Sequence, residues 1–257
     1  MSVLKTFGKY RNLLVELVKK DIKLKYRNSY LGVVWTMLEP LLTMIVLTMV
    51  FSKLLGKGTK DFPVYILTGR LLYSFFSNGT KSALKSVRAN AGMIKKVYVP
   101  KYMYPFASVL SGYVIFLISL LVLAVVATVR GVYPTIRLLW IFVPLLQILL
   151  MTAGVGLILA TMAVFFRDVE YLWGVALMLV MYASAIFYRV GDVISEKNAW
   201  IFKLNPLYAV IVNFRNAVFG QPMDFQAMGY ATIFGAVSLL LGVFVFYKKQ
   251  DNFILYL

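Results

Sequence analysis

Two ionisable side chains lie inside long apolar segments of this 257-residue chain, and they are the first candidates for chemistry. Glu39 and Arg70 would each cost about 2.5–3.5 kcal/mol at the centre of a bilayer, so each needs polar surroundings. Glu39 directly precedes Pro40, which kinks a helix and frees a carbonyl. A kinked helix that carries a carboxylate indicates a cavity or a protein interface. Arg70 fits snorkelling or contact with a partner subunit as well as a pore, and pairing between Glu39 and Arg70 stays open.

Residues that could support catalysis are missing. The chain has no Cys and no His, which excludes disulfides and thiolate chemistry and argues against zinc, haem and iron–sulfur sites. It shows no paired carboxylates and no acidic relay across its apolar segments. The segment Gly56-Lys57-Gly58-Thr59 is not a Walker A motif, because Lys57 is not followed by Ser or Thr. We therefore predict a chain that is not an enzyme and has no catalytic residue, metal site or cofactor of its own.

The elements that must position Glu39 and Arg70 are predicted to be membrane-spanning helices. Uncharged segments of 28 and 29 residues run from Tyr102 to Val129 and from Leu138 to Phe166. About 20 helical residues are enough to cross a hydrocarbon layer of about 30 Å. Hydrophobic residues make up 61% of the chain, which leaves no room for a soluble catalytic domain. The predicted fold class is an all-α integral membrane protein. Its single domain has six transmembrane helices at about 31–52, 62–80, 102–129, 138–166, 171–188 and 225–247.

Basic residues predict the orientation. Eight Lys and Arg residues precede the first span and six lie in the loop after the second span. Because these residues accumulate on the cytoplasmic side, both termini are predicted to be cytoplasmic. Residues 1–29 place apolar side chains at three- and four-residue steps, which predicts an amphipathic helix in the membrane interface. That helix could be an anchor with no further role. The net charge of +17 then reflects contact with membrane lipids rather than nucleic acid.

The segment Ser195–Gly220 between the last two spans is predicted to be a re-entrant helical hairpin. Its uncharged stretch of 11 residues between Lys203 and Arg215 is too short to cross a membrane. Pro206 disfavours helix at the preceding residue, so two short helices should meet there. The alternative is a pair of helices lying flat on the outer surface. The predicted tip, which would act as a gate, consists of Leu204, Asn205, Pro206, Leu207 and Tyr208.

An ordered set of short motifs resembles a known family. The motifs are Tyr30-Leu31-Gly32 with Trp35 and Pro40, Phe75-Phe76-Ser77-Asn78, Asn90-Ala91-Gly92-Met93-Ile94-Lys95-Lys96-Val97-Tyr98-Val99-Pro100, Phe166-Arg167-Asp168, Leu204-Asn205-Pro206-Leu207 and Phe214-Arg215. Together they resemble the permease subunit of ABC-2 type polysaccharide ABC exporters, which carry O-antigen, capsule or teichoic acid. The resemblance covers nearly the whole chain. Arg70 and Tyr73 depart from it, since the family often has Gly-Leu-Leu-Pro-Trp there.

The resemblance implies a homodimer of six-span subunits in a bacterial cell (inner) membrane, with a pore on the two-fold axis. It also implies two copies of a separate ATPase subunit that bind ATP and Mg²⁺, and a lipid-diphosphate-linked polysaccharide as cargo. Trp35, Glu39, Pro40 and Arg70 are predicted pore residues. A loop that couples to the ATPase is predicted at Asn90, Met93, Ile94, Lys95, Lys96, Val97 and Tyr98. Two alternatives stay open: an ABC-2 permease for a smaller amphiphile or drug, and an integral-membrane glycosyl or acyl transferase, although no catalytic cluster supports the second.

Overall fold

The chain is helical wherever its structure is described. The computed structural model describes residues 10–27, 29–54, 60–96, 99–190 and 200–256, and no strand occurs in these ranges. The helices are α1 Arg11–Tyr26, α2 Trp35–Leu54, α3 Phe62–Ala89, α4 Ala91–Ile94, α5 Met103–Val129, α6 Phe142–Phe165, α7 Val169–Tyr182, α8 Trp200–Lys203, α9 Pro206–Phe219, α10 Phe225–Lys249 and α11 Phe253–Tyr256. Short 3-10 turns precede α2 and α6 and join α10 to α11. The predicted all-α fold class is confirmed.

Four helical segments are long and apolar enough to cross a membrane. They are Gly32–Ser52, Met103–Val129, Ile136–Phe165 and Phe225–Tyr256. These segments lie where the first, third, fourth and sixth spans are predicted, so the prediction of an integral membrane protein is confirmed. The count of six is not confirmed, because α3 and α7 occupy the other two predicted spans and are built differently.

Helix α3 is long enough to cross a membrane but carries a polar face. Its 28 residues extend about 42 Å at 1.5 Å per residue. Every Leu, Ile, Val and Phe of α3 is buried against the rest of the subunit. The exposed positions carry polar or charged side chains, apart from Ala89 at the end. This division lowers the mean hydropathy of the helix and explains why α3 does not count among the apolar spans.

Helix α7 is shorter than its predicted span. We predicted a span over 171–188, but the helix ends at Tyr182 after 14 residues, or about 21 Å. The backbone then turns at Ala185, which has a φ of 46° in the left-handed region. Such a conformation costs a non-glycine residue about 1–3 kcal/mol and persists only where the surroundings enforce it. The side chains that enforce it come from α3 and α9 and are described below.

Glycines bring α6 and α10 into backbone contact. A Cβ atom at Gly154 would lie 2.4 Å from the backbone nitrogen of Leu239, and one at Gly242 would lie 2.6 Å from the Gly154 carbonyl oxygen. Neither position can hold a side chain unless the helices move apart. Small residues serve this purpose between membrane helices, where close backbone approach replaces the hydrophobic driving force available in water. These two helices form a rigid wall behind α3.

A second apolar cluster joins the segments predicted to be cytoplasmic. Leu14 and Leu17 of α1 pack with Ile94 of α4, the first turn of α5 and Phe253 of α11. The predicted amphipathic arm therefore forms a helix that buries two leucines against the subunit. Its remaining exposed positions are mostly charged, including Lys19 and Glu16, whose Nζ and Oε1 atoms are 2.8 Å apart.

Candidate functional site

The exposed face of α3 forms a polar stripe along the helix. Arg70, Ser74, Asn78, Ser82 and Lys85 follow one another at steps of four, four, four and three residues. This spacing places them on one side of an α-helix. Asn78, Ser82 and Lys85 are exposed, and Arg70 and Ser74 are partly exposed. A helix that turns its apolar side inward and its polar side outward is unsuited to contact with lipid tails.

The polar stripe is the floor of a groove between helices. Its deeper part is lined by Lys25 and Tyr26 of α1, Thr36, Glu39 and Pro40 of α2, Arg70, Ser74 and Asn78 of α3, and Gly112, Ile115 and Ser119 of α5. A second cavity continues from Asn78 and Gly112 to Asp21, Ser82, Lys85, Asn90 and Ser108. The two cavities share Lys25, Asn78, Gly79, Gly112 and Ile115 and form one channel-like depression, here called the α3 groove.

The structure brings together three of the four predicted pore residues. Glu39, Pro40 and Arg70 line the same part of the α3 groove. Among the described residues no ion pair joins Glu39 to Arg70, so the pairing left open above is not seen in the isolated subunit. The Arg70 guanidinium lies 5.9 Å from the centre of the Tyr73 ring. Trp35 begins α2 and is 44% exposed, but it is not among the residues that line the groove.

The wide end of the groove is charged on both sides. Lys85 Nζ lies 2.6 Å from Glu170 Oε1, which links α3 to the first turn of α7. Lys20 donates a hydrogen bond to Asn90 Oδ1 at 3.1 Å. The Ser108 hydroxyl donates to Asp21 Oδ2 at 3.2 Å. Burial raises the pKa of the Asp21 carboxyl above its usual value, and the Ser108 hydrogen bond and the nearby Lys20 charge oppose that rise.

The predicted break in the outer hairpin is present. Helix α8 ends at Lys203, and α9 begins at Pro206. Asn205 caps α9, since its Oδ1 accepts a hydrogen bond from Leu207 N at 3.0 Å. Its Nδ2 donates to the Ala183 carbonyl oxygen at 3.0 Å and to Ser184 Oγ at 2.9 Å, just beyond α7. Asn205 therefore satisfies its own helix and the broken end of its neighbour.

The apolar tip of the hairpin is only partly available for a seal. Leu204 is 62% exposed, and its carbonyl oxygen accepts a hydrogen bond from Tyr230 OH at 2.7 Å. Tyr208 is partly buried. Leu207 is 1% exposed, because it packs into the core of its own subunit. The prediction that Leu207 contributes to a seal across a pore is therefore wrong for this conformation. Residues 195–199, where the predicted hairpin starts, lie outside the described residues.

Arg215 on α9 is a buried cation that we did not predict to have a role. Its guanidinium donates to the carbonyl oxygens of Ala185, Ile186 and Tyr65 at 3.1–3.2 Å, and it lies 3.5 Å from the centre of the Tyr65 ring. Its Nε also lies 3.4 Å from Thr68 Oγ1. The side chain thus joins α3, α9 and the turn after α7. The sequence signal was present: Arg215 is the one charged residue inside the apolar stretch of α9.

Gly69 on α3 leaves the space that this guanidinium occupies. A Cβ atom at position 69 would lie 2.6 Å from Arg215 Nη2 and 3.4 Å from the Ile186 backbone. The Tyr65 hydroxyl, one turn earlier, donates to the Tyr188 carbonyl oxygen at 2.9 Å. Four carbonyl groups between Ala183 and Tyr188 therefore receive side-chain donors. This accounting explains how irregular backbone can follow α7 without unsatisfied polar groups.

The predicted coupling loop contains a short helix with two different sides. Asn90 precedes α4, and its Nδ2 donates to the Ser86 carbonyl oxygen at 2.8 Å. Met93 is 42% exposed, and Lys95 and Lys96 are exposed as well. Ile94 is 6% exposed because it packs into the cluster formed with Leu14, Val87 and Phe253. The prediction that Ile94 contacts an ATPase is therefore wrong for this structure. Val97 and Tyr98 lie outside the described residues.

The comparisons with known proteins agree with this architecture. Residues 12–219 match the sequence model of the family described as ABC-2 type transporter, which covers the groove, the α4 loop and α9. The chain belongs to the ABC-2 transporter family. It is 30% identical to the O-antigen export system permease protein RfbA of Klebsiella pneumoniae over 94% of this chain and 93% of that protein. It is 23% identical to the polysialic acid transport protein KpsM of Escherichia coli over 91% and 92%.

A third relative extends the range of organisms. The chain is 28% identical to the O-antigen export system permease protein RfbA of Myxococcus xanthus, over 95% of both proteins. Coverage is nearly complete in each comparison, so the similarity includes the groove, the coupling loop and the hairpin. This member of the ABC-2 transporter family is therefore an integral membrane transport subunit.

Proposed function

We propose that this chain is the permease subunit of an ATP-driven exporter that moves a lipid-diphosphate-linked polysaccharide across the bacterial inner membrane. The proposal is supported by the names of the relatives, which are export or transport proteins for O-antigen and polysialic acid. Family similarity alone does not connect that activity to particular residues. The observation that carries the connection is the polar face of α3.

A polar stripe about 22 Å long from Arg70 to Lys85 needs an aqueous or polar environment inside the membrane. In a single subunit the α3 groove is open along its side. A second copy placed across the groove would enclose the two stripes between them. We therefore propose a homodimer in which α3 of each subunit lines the path of the polysaccharide. Serine, asparagine and charged side chains along this path can exchange hydrogen bonds with sugar hydroxyls.

Energy for export must come from a partner, because no phosphate-binding loop is recognisable in the sequence. We propose two ATPase subunits on the cytoplasmic side, where both termini of the chain also lie. They would bind ATP and Mg²⁺ and contact α4 through the exposed Met93 side chain, with Lys95 and Lys96 at the rim. Buried apolar anchors contribute more to such contacts than rim charges do.

The outer hairpin would close the path at its far end. Asn213 Nδ2 donates to the Asp224 carbonyl oxygen at 3.1 Å, close to the start of α10. Gly220, at the end of α9, accepts a hydrogen bond from Arg137 at 2.6 Å, in the loop before α6. Asn205 at the other end reaches Ala183, and Leu204 reaches Tyr230 on the second turn of α10. These contacts support a hairpin that descends toward the membrane interior and returns, with Leu204 at its tip.

Reconstitution tests this function. The purified chain and its ATPase would be placed in proteoliposomes with a lipid-linked polysaccharide, and export would be followed with an impermeant glycosidase on the receiving side. We expect transfer that requires ATP and both proteins. Transport of a small amphiphile without any transport of polysaccharide would contradict the proposed cargo. ATP hydrolysis by the chain alone would contradict its role as a transport subunit.

A further inference from the structure

Arg70 is an ionised side chain without a counter-ion in the part of the chain that the structure describes. It forms no ion pair or hydrogen bond there, and its one close polarisable neighbour is the Tyr73 ring. It lies 15 residues from Lys85 along α3, about 22 Å from the wide end of the groove. Intramembrane cations of this kind usually have a partner or mark a ligand pathway.

Two other charged side chains line the same cavity. Lys25 reaches it from the end of α1, and Glu39 reaches it from α2. The three groups carry a net charge of +1, and no ion pair joins them in the described structure. Ser74 and Asn78, which lie between Arg70 and the wide end, add hydroxyl and amide donors to the same wall. The deep part of the α3 groove is therefore rich in donors and has an excess of positive charge.

These features match the phosphate groups of a lipid. A guanidinium and an ammonium are the side chains that bind phosphate oxygens best, the first by two parallel hydrogen bonds and the second as a point charge. The groove also reaches α1, the amphipathic helix whose predicted place is the membrane interface, where lipid headgroups lie. A lipid could thus present its phosphates to the groove while its chain stays in the bilayer.

We propose that the deep part of the α3 groove binds the diphosphate of the lipid carrier, with Arg70 and Lys25 as the anion ligands. This inference rests on the proposed function and adds the site at which the cargo is held. The Glu39 carboxylate cannot contact the phosphates favourably. It is suited instead to accept hydrogen bonds from hydroxyl groups of the first sugar, on the far side of the diphosphate.

The test uses the complex of the chain with its ATPase in nanodiscs of phosphatidylcholine, which has no net charge. The probe is a fluorescent polyprenyl diphosphate that carries no sugar, and its binding is measured by anisotropy. Arg70→Gln should weaken binding about tenfold to hundredfold, the range expected for the loss of a charge-assisted contact. Arg70→Lys should retain part of the affinity. Arg130→Gln, which removes an exposed cation at the end of α5, is the matched control and should bind normally.

Three results would overturn the inference. The first is unchanged binding in Arg70→Gln, provided that its melting temperature matches that of the parent protein. The second is equal displacement of the probe by phosphatidylglycerol, which would make the groove a site for bulk anionic lipid. The third is equal displacement by inorganic pyrophosphate, which would make it a site for free anions. Normal polysaccharide export by Arg70→Gln would refute this site and leave the proposed function intact, whereas absence of export by the parent complex would refute the proposed function.

Discussion

Replacement of Arg215 by Met should destabilise the outer half of the subunit. Methionine has a similar length and no donors, so the carbonyl oxygens of Ala185, Ile186 and Tyr65 would lose the group that satisfies them. The turn at Ala185, with its φ of 46°, would lose the contact that holds it. Helix α9 would then be released from α3, and the hairpin would no longer have a fixed position.

The expected size of the effect follows from these contacts. A buried carbonyl left without a donor costs about 1–3 kcal/mol. Three such losses do not add fully, because the substitution also removes the cost of burying a charge. Disruption of a buried charged network typically costs about 3–5 kcal/mol. For a chain of this size that corresponds to a drop in melting temperature on the order of 10 °C.

The assay is thermal unfolding of the purified subunit in detergent, followed by size-exclusion chromatography. Arg189→Met is the matched control, because Arg189 also lies over the Tyr65 ring, at 5.4 Å, but is exposed and pairs with Asp61. An exposed ion pair contributes about 0–1 kcal/mol, so the control should melt within a few degrees of the parent. If both variants melt like the parent protein, the carbonyl contacts of Arg215 do not hold the hairpin and our reasoning fails.

Three further predictions concern orientation, coupling and the hairpin. A single Cys introduced at Lys95 should be shielded from an impermeant thiol reagent outside intact cells, and one at Lys60 should react; the opposite pattern would invert the topology. Met93→Asp should lower export and ATPase stimulation at least tenfold while the subunit still assembles, whereas Ile94→Asp should reduce folded protein, because Ile94 is buried; equal behaviour of the two would refute the assignment of sides on α4. Asn205→Ala should raise ion leak through proteoliposomes and lower export, since α9 loses its cap and the Ala183 carbonyl loses its donor; unchanged leak would remove the hairpin from the gate.

The sequence predicted the long apolar helices well, because uncharged segments of such length have few other stable structures. It also located the break at Asn205-Pro206, which depends on local backbone restriction. The contents of α3 were harder to predict. Its polar residues recur at helical spacing, but spacing alone does not tell which side faces the protein, and the departure at Arg70 was visible without its partners.

Contacts between distant segments account for the errors. Ile94 is buried because α1 and α11 pack on it, and these elements are 77 or more residues from it on one side of the chain or the other in the cluster that contains Leu14 and Phe253. The end of α7 at Tyr182 depends on donors from Asn205 and Arg215, which lie 23 and 33 residues further along. Leu207 belongs to the core for the same reason. Such contacts are set by tertiary packing, which local propensity and periodicity do not describe.

The central claim is that the polar face of α3 lines a water-accessible path through the membrane. The chain has no native Cys, so single Cys residues at Ser74, Asn78 and Ser82 can be labelled without background. The measurement is the rate of reaction with a small impermeant thiol reagent in inverted membrane vesicles that contain the complete transporter. We predict fast labelling at these three positions and slow labelling at Leu72, on the buried face, and at Leu121, on the apolar exposed face of α5. Labelling at Ser74, Asn78 and Ser82 that is as slow as at Leu72 and Leu121 would contradict the account.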